Sequence, residues 1–184
     1  MKIIVKRHPR KTKRKTAIVR RHPRKIKKQG IITKDQRKMF DAMASQPVEI
    51  GGELDFGRNQ KLERFTSFIG GEDYINFPSD DWEMEHHSHP EGSYPTPSPE
   101  DISGFLKSKG NQGMVIFSKG KAVAMIKTDK SKDIKPFKMI KKYNKIYNTS
   151  ENIEKDVIDK LKGDGFLIKT FKKGKMNIPI RIIE

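Results

Sequence analysis

The chain has 184 residues, 34% of them charged and 33% hydrophobic, and a formal net charge of +17. That length holds one domain with a modest core plus an appendage, and the absence of cysteine excludes disulfides, thiolate catalysis and cysteine-ligated zinc. No run approaches the roughly 18 apolar residues of a membrane span, and the N-terminus lacks the apolar stretch of a secretory signal. A cytoplasmic protein with no membrane partner is therefore expected.

The charge is concentrated at one end. Residues 1–30 carry 14 Lys or Arg and no acid, whereas the other 154 carry 26 basic and 23 acidic residues. Within this tail "IVKRHPRKTKRK" (Ile4–Lys15) returns 14 residues later as "IVRRHPRKIKKQ" (Ile18–Gln29). Two readings compete. The tail is an extended arm on a phosphate backbone, with Lys6, Arg7, Arg10, Arg20, Arg21 and Arg24 as the contacts to DNA or RNA. Alternatively, "KIIV" and "TAIV" pair as a small hairpin. His8 and His22 precede prolines and have no evident metal partner.

From Thr33 the pattern becomes that of a folded domain. "TKDQRKMFDAMASQ" predicts a helix capped by Thr33, with Met39, Phe40 and Met43 on one face. "PVEIGGELDFG" predicts a strand entered through Pro47, with Gly51 and Gly52 permitting close backbone approach. "ERFTSFIGG", "DYINF" and "WEMEHHSH" predict further strands, and "SPEDISGFLKSKG" a short helix. "QGMVIFSKGKAVAMIKT" predicts a hairpin turning at Lys119-Gly120. Helices follow over "FKMIKKYNKIYN" and "ENIEKDVIDKLKG", and "GFLIKTFKKGKMNIPIRI" predicts a second hairpin turning at Lys173-Gly174. Helices flanking a mainly antiparallel sheet make an α/β or α+β sandwich. Three segments are expected: a basic tail at 1–30, a main domain at 31–150, and a helix-and-hairpin extension at 151–184.

Chemistry concentrates in the middle of the chain. From Phe65 to Leu106 there is no Lys or Arg but there are nine acids, which attract cations. In an extended segment His87 and His89 aim their imidazoles the same way, with Ser88 facing back. Ser98-Pro99-Glu100-Asp101 has the composition of a helix start, with Ser at the cap, Pro first and an acid third. Capping alone explains Ser98 and Asp101; it does not explain the histidine pair. Two histidines and a carboxylate leave a fourth zinc position open, as hydrolytic sites do. Such a site also needs a non-ligating carboxylate as base and a donor for the oxyanion, a role Ser98 suits.

"HSHPEGSYPTPSPED" resembles the signature of the JAMM/MPN+ metalloproteases (the Mov34/JAB domain): His-Ser/Thr-His-Pro, a spacer, then Ser-x-x-Asp. The upstream Glu of that family, in a Glu-x-x-Gly setting, is matched by Glu49 in "EIGGEL". The order of elements over roughly residues 31–128 also matches. The resemblance implies a JAB/MPN-like (cytidine-deaminase-like) α/β fold, Zn²⁺ held by His87, His89 and Asp101, Glu49 as general base and acid, and Ser98 stabilising the tetrahedral intermediate. It implies isopeptidase or peptidase activity at the C-terminus of ubiquitin-like modifiers, whose conjugates would be the partners. Eight residues separate His89 from Ser98, one more than in the family pattern, so one residue, Tyr94, is expected to loop out. Glu53 shares a strand face with Glu49 and is the rival base. Glu85, His86 and Glu91 lie close, with His86 expected to point away. A second reading comes from the RadC-type relatives, which carry a similar His-x-His-Pro and Pro-Thr-Pro-Ser-x-x-Asp run and are linked to DNA repair. It makes the chain a nucleic-acid-associated accessory protein bound through its basic tail. A catalytically silent scaffold is the third reading; the five filled positions argue against it.

Overall fold

The computed structural model describes residues 10–12, 15–17, 26–70, 84–90, 92–108, 112–118 and 120–183. In chain order the elements are β1 (Arg10–Thr12), β2 (Lys15–Ala17), β3 (Ile26–Ile32), α1 (Lys34–Met43), β4 (Ile50–Phe56), β5 (Leu62–Phe65), β6 (Phe68–Ile69) and β7 (Met84–Ser88). They continue with α2 (Pro99–Lys107), β8 (Gly113–Ser118), β9 (Lys121–Ile126), α3 (Asp129–Lys132), α4 (Pro136–Thr149), α5 (Ile153–Gly163), β10 (Leu167–Phe171) and β11 (Met176–Ile183).

The main sheet runs β10-β9-β8-β7-β4-β5, with β6 also on β4. Every pairing in it is antiparallel except β7 with β8. That parallel pair is joined through α2, because two parallel neighbours need a crossover rather than a turn. The fold is thus mixed α/β, with a mostly antiparallel sheet flanked by helices, as expected.

Strand alternation gives the sheet two different faces. One presents Leu54, Phe56, Met84, Val115 and Phe117 to α1 and to a two-stranded β3–β11 ribbon, whose Ile32, Met176, Ile178 and Ile180 complete that core. On the other, Met114, Ile116 and Met125 pack against α2, α4 and α5 through Ile102, Phe105, Met139, Tyr143, Val157 and Leu161. This second core stops at β8. On the neighbouring strands the same face carries Glu85 and His87 of β7, opposite Glu53 and Gly51 of β4. A polar strip therefore borders the apolar core, and the histidine and acidic candidates lie on it.

Both expected helix starts are present. Thr33 Oγ1 accepts from Gln36 N at 3.3 Å while Thr33 N donates to Gln36 Oε1 at 3.0 Å, and Ser98 with Asp101 makes the same reciprocal pair on α2. The "DYINF" strand expectation, Trp82 and Glu83, and the acids Glu72, Asp73, Asp80, Asp81 and Glu91 lie outside the described residues. So do "KIIV", Lys6, Arg7, His8, Arg20, Arg21, His22 and Arg24; Arg10 is in β1, which pairs with β2.

The second hairpin does not form. Its two strands exist, but β10 pairs with β9 at one edge of the main sheet, while β11 pairs with β3. The cause is the alternation of Met176, Ile178 and Ile180. These bury against Ile32 and Phe56 beneath the sheet, whereas an edge strand beside β10 would leave half of that apolar surface wet.

Gly52 shows what close approach means here. A Cβ at this position would lie 2.1 Å from the carbonyl oxygen of Thr66, a backbone atom with little room to yield. Gly52→Ala is therefore expected to cost about 2 kcal/mol or more, as overpacking does. Gly104, exposed on α2 with open space around it, should gain about 0.5–1 kcal/mol on replacement by Ala. Denaturant midpoints of the two variants, moving in opposite directions, check both.

Candidate metal centre

The site is assembled at the carboxyl end of β7, where the chain leaves the sheet for α2. His87 is in the strand, and His89 lies one residue beyond it with its backbone N still donating to Phe117 O at 2.8 Å. The ladder thus holds both residues extended, and both imidazoles reach the same point. His87 Nε2 and His89 Nε2 are 3.2 Å apart, and Asp101 Oδ2 lies 3.4 Å from each. All three residues are largely shielded from solvent.

Three ligand atoms at those spacings form a group able to hold a metal ion. With metal–ligand bonds of about 2.0–2.1 Å, a tetrahedral centre has ligand–ligand edges of about 3.3–3.4 Å; the observed triangle matches this on all three sides. The donor set, two imidazole nitrogens and one carboxylate oxygen, is compatible with zinc. Its supporting contacts also fit. His89 Nδ1 donates to Tyr94 O at 2.7 Å, which fixes the tautomer and leaves Nε2 as the lone pair. Asp101 Oδ2 accepts from Ser98 N at 2.7 Å.

Three acceptors turned on one point require a cation there. In the absence of a metal ion the same arrangement favours a proton on His87. Burial alone would depress His87, but the charge and hydrogen bond of Asp101, with Glu49 and Glu85 beyond, outweigh it and raise its pKa. Burial likewise pushes Asp101 up, yet His87 and His89 hold it well below the ordinary carboxylate value.

Glu49 sits just before β4, with one carboxylate oxygen 3.9 Å from His89 Nε2. Its backbone is pinned on both sides: Gly70 N donates to Glu49 O at 2.9 Å, and Ile50 N donates to Ser88 Oγ at 3.0 Å. It is beside the ligand triangle without being a corner of it. Glu53 occupies the same strand face four residues farther along, opposite Glu85, where both are buried. Ser98 Oγ accepts from Asp101 N at 3.0 Å. That bond uses an acceptor lone pair only, so capping and donation by the hydroxyl proton are compatible.

His86 points to the opposite face, as strand alternation requires. Its ring meets Phe40 edge-on at 5.0 Å, and Nε2 donates to Thr66 O at 2.9 Å. Burial lowers its pKa from the ordinary 6.5 to about 4. The unfolded chain takes up a proton first, so the contribution of neutral His86 is complete above pH 6.5 and is lost as pH falls toward 4. The expected loss is on the order of 3 kcal/mol. Unfolding free energies of the wild type and His86→Leu, compared across that interval, isolate it; equal slopes would contradict it.

Two participants were not visible in the sequence. The Tyr94 side chain is exposed, but its carbonyl is the group that orients His89, and a carbonyl carries no residue identity. Tyr147 of α4, four positions after the buried Tyr143, has the spacing of a core aromatic. Its hydroxyl instead donates to Pro97 O at 2.9 Å. Burial, with the nearby charges of Asp101 and Glu100, raises its pKa and keeps it a donor.

Neither a known protein-family model nor a curated protein matches the chain. Among the described residues, no helix is long and apolar enough to cross a membrane.

Proposed function

We propose that the chain is a zinc-dependent metalloprotease of the JAMM/MPN+ type with a JAB/MPN-like fold, hydrolysing isopeptide or peptide bonds at the C-terminus of ubiquitin-like modifiers. The observation that carries this reading is the triangle of His87, His89 and Asp101, with edges of 3.2–3.4 Å and the Glu49 carboxylate beside it. Zinc bound by those three residues would supply Lewis acidity to a water and to the scissile carbonyl. Glu49 accepts the proton that the attacking water loses and delivers it to the departing lysine amine. The Ser98 hydroxyl donates to the carbonyl oxygen as it gains charge. Metal analysis joined to cleavage of a modifier–lysine conjugate tests the reading. Zinc near one per chain with conjugate cleavage supports it; a zinc-free chain that leaves the conjugate intact rejects it.

A second property, compatible with the first, rests on the 14 Lys or Arg and no acid of residues 1–30. The tail binds nucleic-acid backbones, as the RadC-type resemblance also suggests. Truncation at residue 30 is a poor test because β3 begins at Ile26 and pairs with β11. Neutralising Lys6, Arg7, Arg10, Arg20, Arg21 and Arg24 to Gln is better: a steep salt dependence of DNA or RNA binding should flatten.

A further inference from the structure

The segment joining His89 to α2 is tied down by three of its carbonyl groups. His89 Nδ1 donates to Tyr94 O at 2.7 Å, Ser118 Oγ to Ser93 O at 2.9 Å, and Tyr147 Oη to Pro97 O at 2.9 Å. The third tie differs from the others in what lies across the bond. The carbonyl of Pro97 and the N–H of Ser98 belong to one peptide group. That N–H donates to Asp101 Oδ2 at 2.7 Å, the same oxygen that faces the two histidines. A single planar unit thus has a phenol on one end and a metal-ligating oxygen on the other. Because the peptide is rigid, a bond that fixes its carbonyl fixes the direction of its N–H. Hydrogen bonds in series also polarise one another, which strengthens the donation to the carboxylate.

We infer that Tyr147 is a positioning residue of the metal centre, holding Asp101 in its ligating orientation through the Pro97–Ser98 peptide. The inference rests on the metal-site reading above. Tyr147 sits on α4, the helix packed against α2, so this contact ties the opposite side of the helical layer to the site. The surroundings suit the role. Pro95, Thr96 and Pro97 are all buried, and Thr96 Oγ1 lies 3.4 Å from the Tyr147 hydroxyl. The two prolines also restrict the backbone on either side of Thr96. What remains adjustable before the Ser98 cap is the orientation of that one peptide, and Tyr147 sets it.

Tyr143, one turn earlier on α4, provides the control. Its hydroxyl donates to Asp164 Oδ2 at 3.1 Å, at the end of α5 and not at the metal corner. Tyr147→Phe and Tyr143→Phe each remove one hydrogen-bonded hydroxyl from the same helix and keep the ring. Two readouts separate a positioning role from a merely structural one. The first is exchange of the Ser98 amide in the metal-free full chain, followed by NMR, which should quicken roughly five- to tenfold in Tyr147→Phe alone. The second is zinc affinity by chelator competition, which should weaken roughly tenfold in Tyr147→Phe and stay at the wild-type value in Tyr143→Phe. An unchanged Ser98 amide, or equal loss of zinc affinity in both variants, overturns the inference. A wild-type chain that binds no zinc rejects the metalloprotease reading, and it does so without reference to either tyrosine.

Discussion

Glu49→Gln is expected to lower kcat on a modifier–lysine conjugate by about 10²–10⁴-fold while zinc content stays near one per chain. The amide has the shape of the carboxylate but cannot take a proton from water at neutral pH. The backbone around Glu49 is held by Gly70 N and by Ser88 Oγ, neither of which depends on the side chain. Nor does the carboxylate form an edge of the ligand triangle, its nearest approach being 3.9 Å. Rate and metal occupancy should therefore separate cleanly. Glu53→Gln supplies the comparison. Glu53 lies opposite Glu85, one pleat away from the histidines, so its substitution should have the smaller effect on kcat. A larger loss in Glu53→Gln than in Glu49→Gln would transfer the base to Glu53.

Asp101→Asn separates two roles that one residue combines. As the third residue of α2, Asp101 accepts from Ser98 N and completes the cap; in the candidate metal centre it presents the same oxygen to the histidines. An Asn oxygen can still accept the capping bond, so helix content and the thermal midpoint of the metal-free chain should change little from loss of the cap. The charge, however, is gone, and zinc affinity should fall by more than about 100-fold, beyond the usual cost of losing only a supporting partner. Metal-free, the variant also loses the Asp101 charge that lifts His87. In the wild type the raised His87 contributes stability below its unfolded value of 6.5 that is lost as pH rises past its folded value. Asp101→Asn should remove that part of the pH dependence. Chelator competition for zinc, and unfolding as a function of pH without metal, measure the two effects. Wild-type zinc affinity in the variant would show that Asp101 is a cap and nothing more.

Much of this was legible in the residues because the determinants are local. Thr33 and Ser98 cap helices through bonds that span three residues. The β8–β9 hairpin follows from two apolar runs around Lys119-Gly120. His87 and His89 share a direction because a strand has a period of two, and the same period sends His86 to the other side. The ligand set needed only one further step, a helix beginning at Ser98.

The sequence by itself thus determined the helices, most strands, the shared direction of His87 and His89 and the cap residue Asp101 that faces them. Tertiary structure alone decided the partner of the last strand, because β11 goes where Met176, Ile178 and Ile180 find apolar cover, and that cover is supplied by Ile32 and Phe56, far away in the chain. It alone placed the Glu49 carboxylate 3.9 Å from His89 and Glu53 opposite Glu85, a difference that a strand's period does not show. It also placed Tyr94 O, Pro97 O and the Tyr147 hydroxyl, since a backbone carbonyl is common to every residue and its direction is set only when the whole chain has packed.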